Sequence, residues 1–275
     1  MMVVKLTHAV SNLYLVTRKA IADPSVTLVY ALTPTQQRPK LKTFPTLMTL
    51  ILTNDDGVDA PGIQSLLQAV SQIDDQTIIV APQLPHSGCG HQVTTTTPIH
   101  VQRRSIVEYA VNGTPADCTR LALNHLAPDT RWVLSGINAG GNLGADVYIS
   151  GTVAAVREAA LYRIPGIALS HYRQGRRAID WHLAAHLTTQ VLLTLFSRTW
   201  EPGTFWNVNL PHLEVTAAMP EMVFCQPCTQ PLPGNYRVEG EYFQYAGEYA
   251  KRRRDAGSDV DVCFSGRIAI TQITL

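Results

Sequence analysis

"TLILTNDDGVDAPG", residues 49 to 62, joins an apolar run to two adjacent carboxylates and then to a glycine. The apolar run has the length and composition of a buried strand. Apolar residues then recur at helical spacing behind Pro61, so the segment predicts a strand followed by a helix. Two like charges about 4 Å apart cost roughly 4 kcal/mol at an effective dielectric of about 20. The adjacent Asp55 and Asp56 therefore need a partner that compensates their charge.

The same order of strand and helix recurs along the rest of the chain. Short apolar runs alternate with helical patterns, which predicts an α/β fold with a Rossmann-like, mostly parallel sheet and helices on its faces. Residues 93–101 and 106–113 contain alternating β-branched residues and predict an added hairpin. Thr114 and Pro115 have the types preferred at the N-cap and first position of a helix. The other predicted elements are strands at 77–82, 164–170 and 204–211, a strand entering a glycine-rich loop over 131–144, and helices at 150–162 and 179–195.

The first 47 residues differ from the remainder in charge. They hold six Lys or Arg and one acid, whereas the remainder holds 16 basic and 20 acidic side chains. We predict that residues 1–47 are an N-terminal extension outside the fold. We interpret it as sequence upstream of a start at Met48, with a targeting peptide or an added arm as alternatives. The following segments are predicted as an α/β catalytic core at 48–225, an arm or hairpin at 226–262, and a terminal strand at 263–275.

Composition argues against several classes of protein. No apolar run approaches the roughly 20 residues needed to cross a bilayer, so we expect no membrane partner. A mildly acidic body is poorly suited to nucleic acid, because neutralisation of phosphates drives that affinity. The five cysteines are an odd number and only Cys225 and Cys228 are closely spaced, which favours a reducing compartment, the cytoplasm, over a disulfide framework. A single C-x-x-C is weak support for zinc.

Polar side chains follow several of the predicted strands. In an open parallel sheet the ligand crevice lies outside the carboxyl ends of the strands. Asp55 and Asp56 follow the first strand, Ser87 lies in the loop after the second, and Asn138 lies after a later one. All four offer oxygen atoms, which are the ligands of a hard cation such as Mg²⁺ or Mn²⁺. The alternative is that the two acids form an ordinary Asx turn or helix cap, but Asp59 is better placed for that cap.

The glycine-rich loop at 136–144 and the helix start at 150–152 suit an anion, because backbone amides can approach it there. The loop does not match G-x-G-x-x-G, and the chain contains neither G-x-x-x-x-G-K-[ST] nor G-x-S-x-G. Tight turns are the alternative explanation for the glycines. His86 and His91 flank Ser87, and either could contact substrate or be merely solvated.

Taken together, five blocks of this sequence resemble the SurE family of stationary-phase survival proteins. In chain order they are ILTNDDGVDAPGIQSL (51–66), IVAPQLPHSG (79–88), VNGTPADC (111–118), LSGINAGGNLGADVYISGTVAAVREA (134–159) and IPGIALS (164–170). The resemblance covers residues 48–210 strongly and the later residues loosely. Residues 1–47 match nothing in the family.

The resemblance implies a divalent-metal-dependent 5′/3′-nucleotidase, a phosphoric monoester hydrolase (phosphatase) that converts nucleoside monophosphates to nucleoside and phosphate. It also implies a C-terminal β-rich arm used in forming a homodimer or homotetramer. The positions that match the family's metal ligands are Asp55, Asp56, Ser87 and Asn138, with Asp55 or Asp56 as the catalytic carboxylate. The positions that match its phosphate pocket are Asn54, Asn142, Ser150, Gly151 and Thr152, and His91 is a further candidate.

One stretch departs from the family. Many members have small residues with Asn or Ser after the Ser-Gly of the second block, whereas this chain has Cys89-Gly90-His91. The substrate preference therefore does not follow from the resemblance. Two other functions stay open: a broader phosphatase or exopolyphosphatase, and a non-catalytic nucleotide-binding module.

Overall fold

The computed structural model describes residues 14–19, 27–32, 49–74, 76–213 and 218–275. The chain divides into two compact units, Met1–Thr46 and Leu47–Leu275. In the first unit, strands β1 (Tyr14–Lys19) and β2 (Thr27–Leu32) pair antiparallel. The other residues of that unit lie outside the described ones, as does Met48. The extension at 1–47 and the start at Met48 therefore stay predictions.

A nine-stranded, mostly parallel sheet forms the centre of the second unit, which confirms the predicted α/β fold. The strands of this unit are β3 (Thr49–Thr53), β4 (Thr77–Pro82), β5 (Val101–Arg103), β6 (Glu108–Val111), β7 (Thr130–Asn138), β8 (Gly166–His171), β9 (Thr204–Leu210), β10 (Met222–Phe224), β11 (Tyr236–Glu239), β12 (Tyr242–Tyr245) and β13 (Ile268–Thr274). The order across the sheet is β10-β13-β9-β8-β7-β3-β4-β6-β5. Strands β5 and β6 pair antiparallel, as do β9 and β13, and β11 and β12 form a separate antiparallel hairpin.

Helices cover both faces of this sheet. They are α1 (Pro61–Val70), α2 (Pro115–Leu121), α3 (Gly151–Leu161), α4 (Trp181–Phe196) and α5 (Asp259–Phe264), with a π-helical turn at Ala122–Leu126 and 3₁₀ turns at Gly144–Tyr148 and Tyr249–Lys251. Leu50 and Leu52 of β3 pack with α1 and α4, whereas Ile51 packs with α2 and α3. Side chains alternate between the two faces of a strand, so β3 is buried on both sides. In the described part of the chain, every helix is too short or too polar to span a bilayer.

The strand order reverses next to β3. The chain passes from β3 through α1 to β4 on one side, whereas β7 lies on the other side of β3 and is followed outward by β8 and β9. Such a reversal leaves a crevice at the carboxyl ends of the two central strands. The crevice therefore lies where β3 and β7 end.

The predicted hairpin of residues 93–113 forms, but its first strand is shorter than predicted. Only Val101 of the segment 93–101 belongs to a strand. The amide and hydroxyl of Thr94 donate to the Asp117 carboxylate at 2.8 and 2.7 Å, so this segment wraps the start of α2. The same carboxylate completes a capping box with Thr114, the predicted N-cap.

The prediction that Asp59 caps α1 is wrong. Ala60 occupies the N-cap without any side-chain hydrogen bond. The Asp59 carboxylate instead accepts two hydrogen bonds from the Arg104 guanidinium, at 2.5 and 3.0 Å. The Asp59 side chain thus pairs with Arg104 and not with the helix start.

The segment predicted as an arm or hairpin, residues 226–262, contains both an exposed hairpin and a buried helix. Strands β11 and β12 are exposed along their whole length. Helix α5 buries Val260 and Val262 in a core cluster with Leu143. Its D-V-D-V sequence alternates like a strand, which hid the helix from sequence analysis. The terminal strand, predicted over 263–275, begins at Ile268 because α5 continues to Phe264.

Gly62 allows α1 to lie directly on β7. A Cβ at this position would lie 1.9 Å from the carbonyl oxygen of Ile137. Gly62→Ala should therefore lower the free energy of unfolding by about 2 kcal/mol or more, because overpacking of a core costs roughly 1–3 kcal/mol. Gly234→Ala is the matched control, since a Cβ there meets open space. Urea unfolding followed by circular dichroism measures both, and equal stability of the two variants would contradict the close approach.

Candidate functional site

The two predicted aspartates and Asn138 lie at the same edge of the sheet. Asp55 and Asp56 follow β3 directly, and Asn138 is the last residue of β7. The two strands run parallel with Thr53 opposite Ser135. Their carboxyl ends therefore meet where the strand order reverses, which is the usual place for a ligand in such a sheet.

Asp55 lies against the start of α3. Its carboxylate accepts a hydrogen bond of 2.5 Å from the Thr152 hydroxyl, and only 4% of the residue is exposed. A Cβ at Gly151 would lie 2.9 Å from the Asp55 Cβ, so the helix can begin here only with glycine. Burial raises the pKa of Asp55 to about 6, against the hydrogen bonds from Thr152, and the negative charge of Asp56 adds to the rise. The carboxylate is held in place but its charge is incompletely compensated.

Asp56 connects the ends of β3 and β7. Its carboxylate accepts a hydrogen bond of 3.1 Å from the amide of Ala139, the residue after Asn138. Burial raises the pKa of Asp56, and the bond from Ala139 opposes that rise. Asn138 donates its amide nitrogen to the Gly140 carbonyl at 2.9 Å, which leaves its amide oxygen for a ligand.

The loop after β4 folds over Asp55. The His86 amide donates to the Asp55 carbonyl at 2.7 Å, and the Cys89 amide closes a turn by donating to the His86 carbonyl at 3.2 Å. Ser87 lies in this turn and is exposed. A Cβ at Gly151 would lie 3.0 Å from the Cys89 sulfur, so the end of the turn packs beside Asp55. The three loops that carry the predicted metal ligands therefore converge.

Three of the five predicted phosphate contacts also hydrogen-bond to the surrounding scaffold. Ser150 caps α3 by accepting a backbone amide at 3.1 Å, and Thr152 donates to Asp55. Asn54 closes the turn after β3 by donating to the Gly57 carbonyl at 2.7 Å, and it is only 1% exposed. Thr152 thus orients the Asp55 carboxylate, and the phosphate contacts of these three residues stay predictions.

Asn142, another predicted phosphate contact, is buried and held by the neighbouring strands. Its amide nitrogen donates to the Ser170 hydroxyl at 2.8 Å, and its carbonyl accepts from Asn207 and Asn209 at 2.8 and 3.0 Å. The Asn142 backbone amide donates back to Asn209 at 2.8 Å. Sequence reasoning missed these two asparagines of β9. The N-V-N pattern in an otherwise apolar strand is the signal that marks them.

His91 contacts a buried carboxylate. It contacts Glu158 at 2.7 Å, and Glu158 also accepts from the Arg120 guanidinium at 2.6 Å. Glu158 lies seven residues after Gly151, which corresponds to about 10 Å along the helix axis. These contacts tie the loop after β4 to α2 and α3, and the role of His91 at the substrate stays a prediction.

The C-terminal segment anchors the glycine-rich loop. Asp259 of α5 accepts the Gly144 amide at 2.7 Å. Asp146 accepts the Tyr249 hydroxyl at 2.5 Å and the Arg252 guanidinium at 2.8 Å. The partners lie 103 to 115 residues apart in sequence, so no local pattern revealed them.

The donors at this edge of the sheet fit a hard divalent cation. Two carboxylates with the neutral oxygens of Ser87 and Asn138 form the kind of ligand set that Mg²⁺ and Mn²⁺ prefer. Over the described ranges, no group of three or more His, Cys, Asp and Glu is arranged to hold a metal ion. Burial raises the pKa of both acids, and the charge of Asp56 adds to the rise at Asp55. The charge of a bound cation would oppose these effects.

Comparisons with known proteins find matches within a single protein family. The family model described as "Survival protein SurE" matches residues 50–231. A protein of Nostoc sp. strain PCC 7120, named "Putative 5'-nucleotidase alr3139", is 63% identical over 226 residues, which cover 82% of this chain and 99% of the relative. The "5'-nucleotidase SurE" of Paramagnetospirillum magneticum is 33% identical over 237 residues, which cover 83% and 90%. The crystal structure of the SurE protein from Aquifex aeolicus matches with a TM-score of 0.72 and 29% identity, over 82% of this chain and 93% of that one.

The raised pKa of Asp55 has a consequence for stability. The pKa of Asp55 is about 6 in the folded protein, compared with an ordinary value of 3.8. Protonation of Asp55 therefore stabilises the folded state. This contribution is fully present below pH 4 and is lost as the pH rises through 6. In metal-free protein, Asp55→Asn should therefore raise the free energy of unfolding at pH 8 by about 2 kcal/mol, and the gain should vanish below pH 4.

Urea unfolding in EDTA at both pH values measures this difference. Asp74→Asn is the control, because it removes a carboxylate that pairs with Arg131 before β4, far along the strand from the site. We expect no stabilisation from that variant. An Asp55→Asn protein less stable than wild type at pH 8 would contradict the account.

Proposed function

The chain belongs to the SurE family of survival proteins, and on that premise we propose that it is a nucleotidase that hydrolyses nucleoside monophosphates to nucleoside and phosphate. The observation that carries the proposal is the pair of acids at the meeting point of β3 and β7, with the pKa of both raised by burial. Relatives named 5′-nucleotidase support it. Phosphate-monoester hydrolysis is among the slowest uncatalysed reactions, so the site must stabilise charge on the phosphoryl oxygens.

We assign Asp55, Asp56, Ser87 and Asn138 to a divalent cation, Mg²⁺ or Mn²⁺. The partial burial of the acids and the all-oxygen donor set support this assignment. When bound, the cation supplies positive charge that stabilises the phosphoryl oxygens in the transition state. The four residues belong to three loops, so the cation would also fix the loops relative to one another.

The carboxylates have a second role in the proposal. Thr152 orients Asp55 by donating its hydroxyl, and Ala139 orients Asp56 by donating its amide. A carboxylate freed from direct contact with the cation during the reaction would accept the proton of an attacking water or attack phosphorus itself. Both routes stay open.

The phosphate is assigned to two of the predicted contacts. Asn142 keeps this role because its amide nitrogen has a second hydrogen to donate beyond the bond to Ser170. Gly151 keeps it because its backbone amide begins α3, where the helix dipole favours an anion. The roles of Asn54, Ser150 and Thr152 at the phosphate stay predictions, and their hydrogen bonds to the protein would orient them.

The compartment proposed for this activity is the cytoplasm. All five cysteines are free: Cys89, Cys118, Cys225, Cys228 and Cys263. Free thiols persist in a reducing compartment, which supports the proposal.

The exposed hairpin supports assembly into a homodimer or homotetramer. Tyr242 is 82% exposed on one face of the hairpin. On the other face, the cross-strand pairs Val238–Phe243 and Tyr236–Tyr245 lie side by side, and all four residues are more than half exposed. Contiguous apolar surface of this kind marks an interaction site. We assign it to a second copy of this chain, as the family resemblance implies.

The activity is tested by phosphate release from AMP and GMP. We expect release with Mg²⁺ or Mn²⁺ and none in EDTA. Asp55→Asn should lower kcat by at least about a hundred-fold, because it removes a charge that holds the cation. Asp74→Asn, the control that pairs with Arg131, should stay within about two-fold of wild type.

Each alternative gives a different result in the same assay. Binding of AMP without release of phosphate would indicate a nucleotide-binding module. Faster hydrolysis of polyphosphate or of other esters would indicate a broader phosphatase or exopolyphosphatase. Release that persists in EDTA, or in Asp55→Asn, would refute the metal assignment.

The assembly is tested by sedimentation velocity. Wild type should sediment as a dimer or tetramer, and Tyr242→Asp with Phe243→Asp should shift the protein to the monomer, because two buried charges would disrupt an apolar interface. Leu193→Asp places a charge on the outer side of α4, where the side chain is 51% exposed, and should leave the mass unchanged. A monomeric wild type, or a double variant of unchanged mass, would contradict the assignment.

A further inference from the structure

A cavity of about 440 Å³ adjoins the carboxylate site between the start of α1 and the start of α4. Asp56 and Ala139 line it on the side of the crevice, and Pro61, Pro85 and Trp181 line it further out. This volume is within the roughly 300–1,000 Å³ of small-molecule sites. The cavity therefore shares one wall, Asp56, with the site assigned to the cation.

Packing of two helices fixes the aromatic wall of this cavity. Trp181 is the first residue of α4, and its carbonyl accepts the Ser65 hydroxyl of α1 at 2.7 Å. Asp180 caps α4 by accepting two backbone amides at 3.0 Å each. Gly62 also lines the cavity, and it allows α1 to lie close to β7 at this point. Trp181 also packs against the core cluster that α1 and α4 share, so the protein itself holds this residue at the cavity.

The chemistry of the walls favours a flat, largely apolar group. An indole presents a stacking face, and two proline rings offer rigid apolar surface. Polar groups, among them Asp59 and Gln83, also line the cavity, and both residues are exposed. Stacking on an aromatic side chain tolerates every base, because each base has a π-face.

We propose that this cavity binds the nucleoside part of the substrate, with the base against Trp181. The inference rests on the proposed function, because it places the phosphate of the substrate at the cation site beside Asp56. From there the nucleoside would extend into the cavity. Trp181 is then a residue that determines affinity for nucleotides without touching the reacting phosphate. Because stacking provides the contact, the enzyme should accept purine and pyrimidine monophosphates alike.

Kinetics of Trp181→Ala test the proposal. We expect about a ten-fold higher KM for AMP and for UMP, with kcat within about two-fold, because stacking energy is lost from the bound substrate. Hydrolysis of glycerol 2-phosphate, which has no base, should be unchanged. Trp181→Phe should restore most of the affinity. An equal loss for AMP and glycerol 2-phosphate, or no loss for either, would overturn the proposal.

A binding measurement separates this inference from the hydrolytic function. Adenosine should quench the tryptophan fluorescence of wild type and of Trp200→Phe, but not of Trp181→Phe. Trp200 is the matched control because it lies outside the cavity, bonded to the Thr204 carbonyl at 2.8 Å. Quenching retained in Trp181→Phe would overturn the nucleoside assignment even if AMP is hydrolysed. Quenching lost only in Trp181→Phe would support it even if the wild-type protein releases no phosphate.

Discussion

The contact between the Asp55 carboxylate and the first turn of α3 is the constraint on which the site depends. It requires glycine at position 151, a donor at Thr152 and a chain that ends β3 directly beneath the helix start. These groups only partly offset the cost of burying the acid, because its pKa still rises to about 6. Ionisation of this buried carboxylate therefore costs free energy, and a positive charge bound beside it would lower that cost. That is the physical basis for assigning a cation to this position.

Buried polar contacts hold each of the surrounding loops. Glu158 ties the loop after β4 to two helices through His91 and Arg120. The asparagines of β9 hold the backbone of Asn142, and Asp259 holds Gly144. Groups that are fixed before substrate arrives need no reorganisation during the reaction, which is the condition under which fixed dipoles and charges are most effective. The C-terminal segment thereby contributes to the arrangement of the glycine-rich loop.

The features that could be predicted from the sequence are those that depend on residues close together in the chain. Strand and helix periods, the capping box of α2 and polar residues at strand ends are all local features, and β4 and α4 lie where they were expected. Features set by distant partners were missed or misassigned. Arg104 binds Asp59, and Asp117 holds Thr94 outside the sheet. Helix α5 buries two valines in a core built by residues far away in sequence. The contact between Thr152 and Asp55 is a further example, because nothing local in the sequence shows that Thr152 faces a carboxylate.

The location of a bound cation tests the account most directly. An anomalous difference map from a crystal grown with Mn²⁺ should show one strong peak with oxygens of Asp55, Asp56, Ser87 and Asn138 within about 2.5 Å. A peak that contacts neither aspartate, or no peak at this edge of the sheet under conditions that support phosphate release, would contradict the central claim.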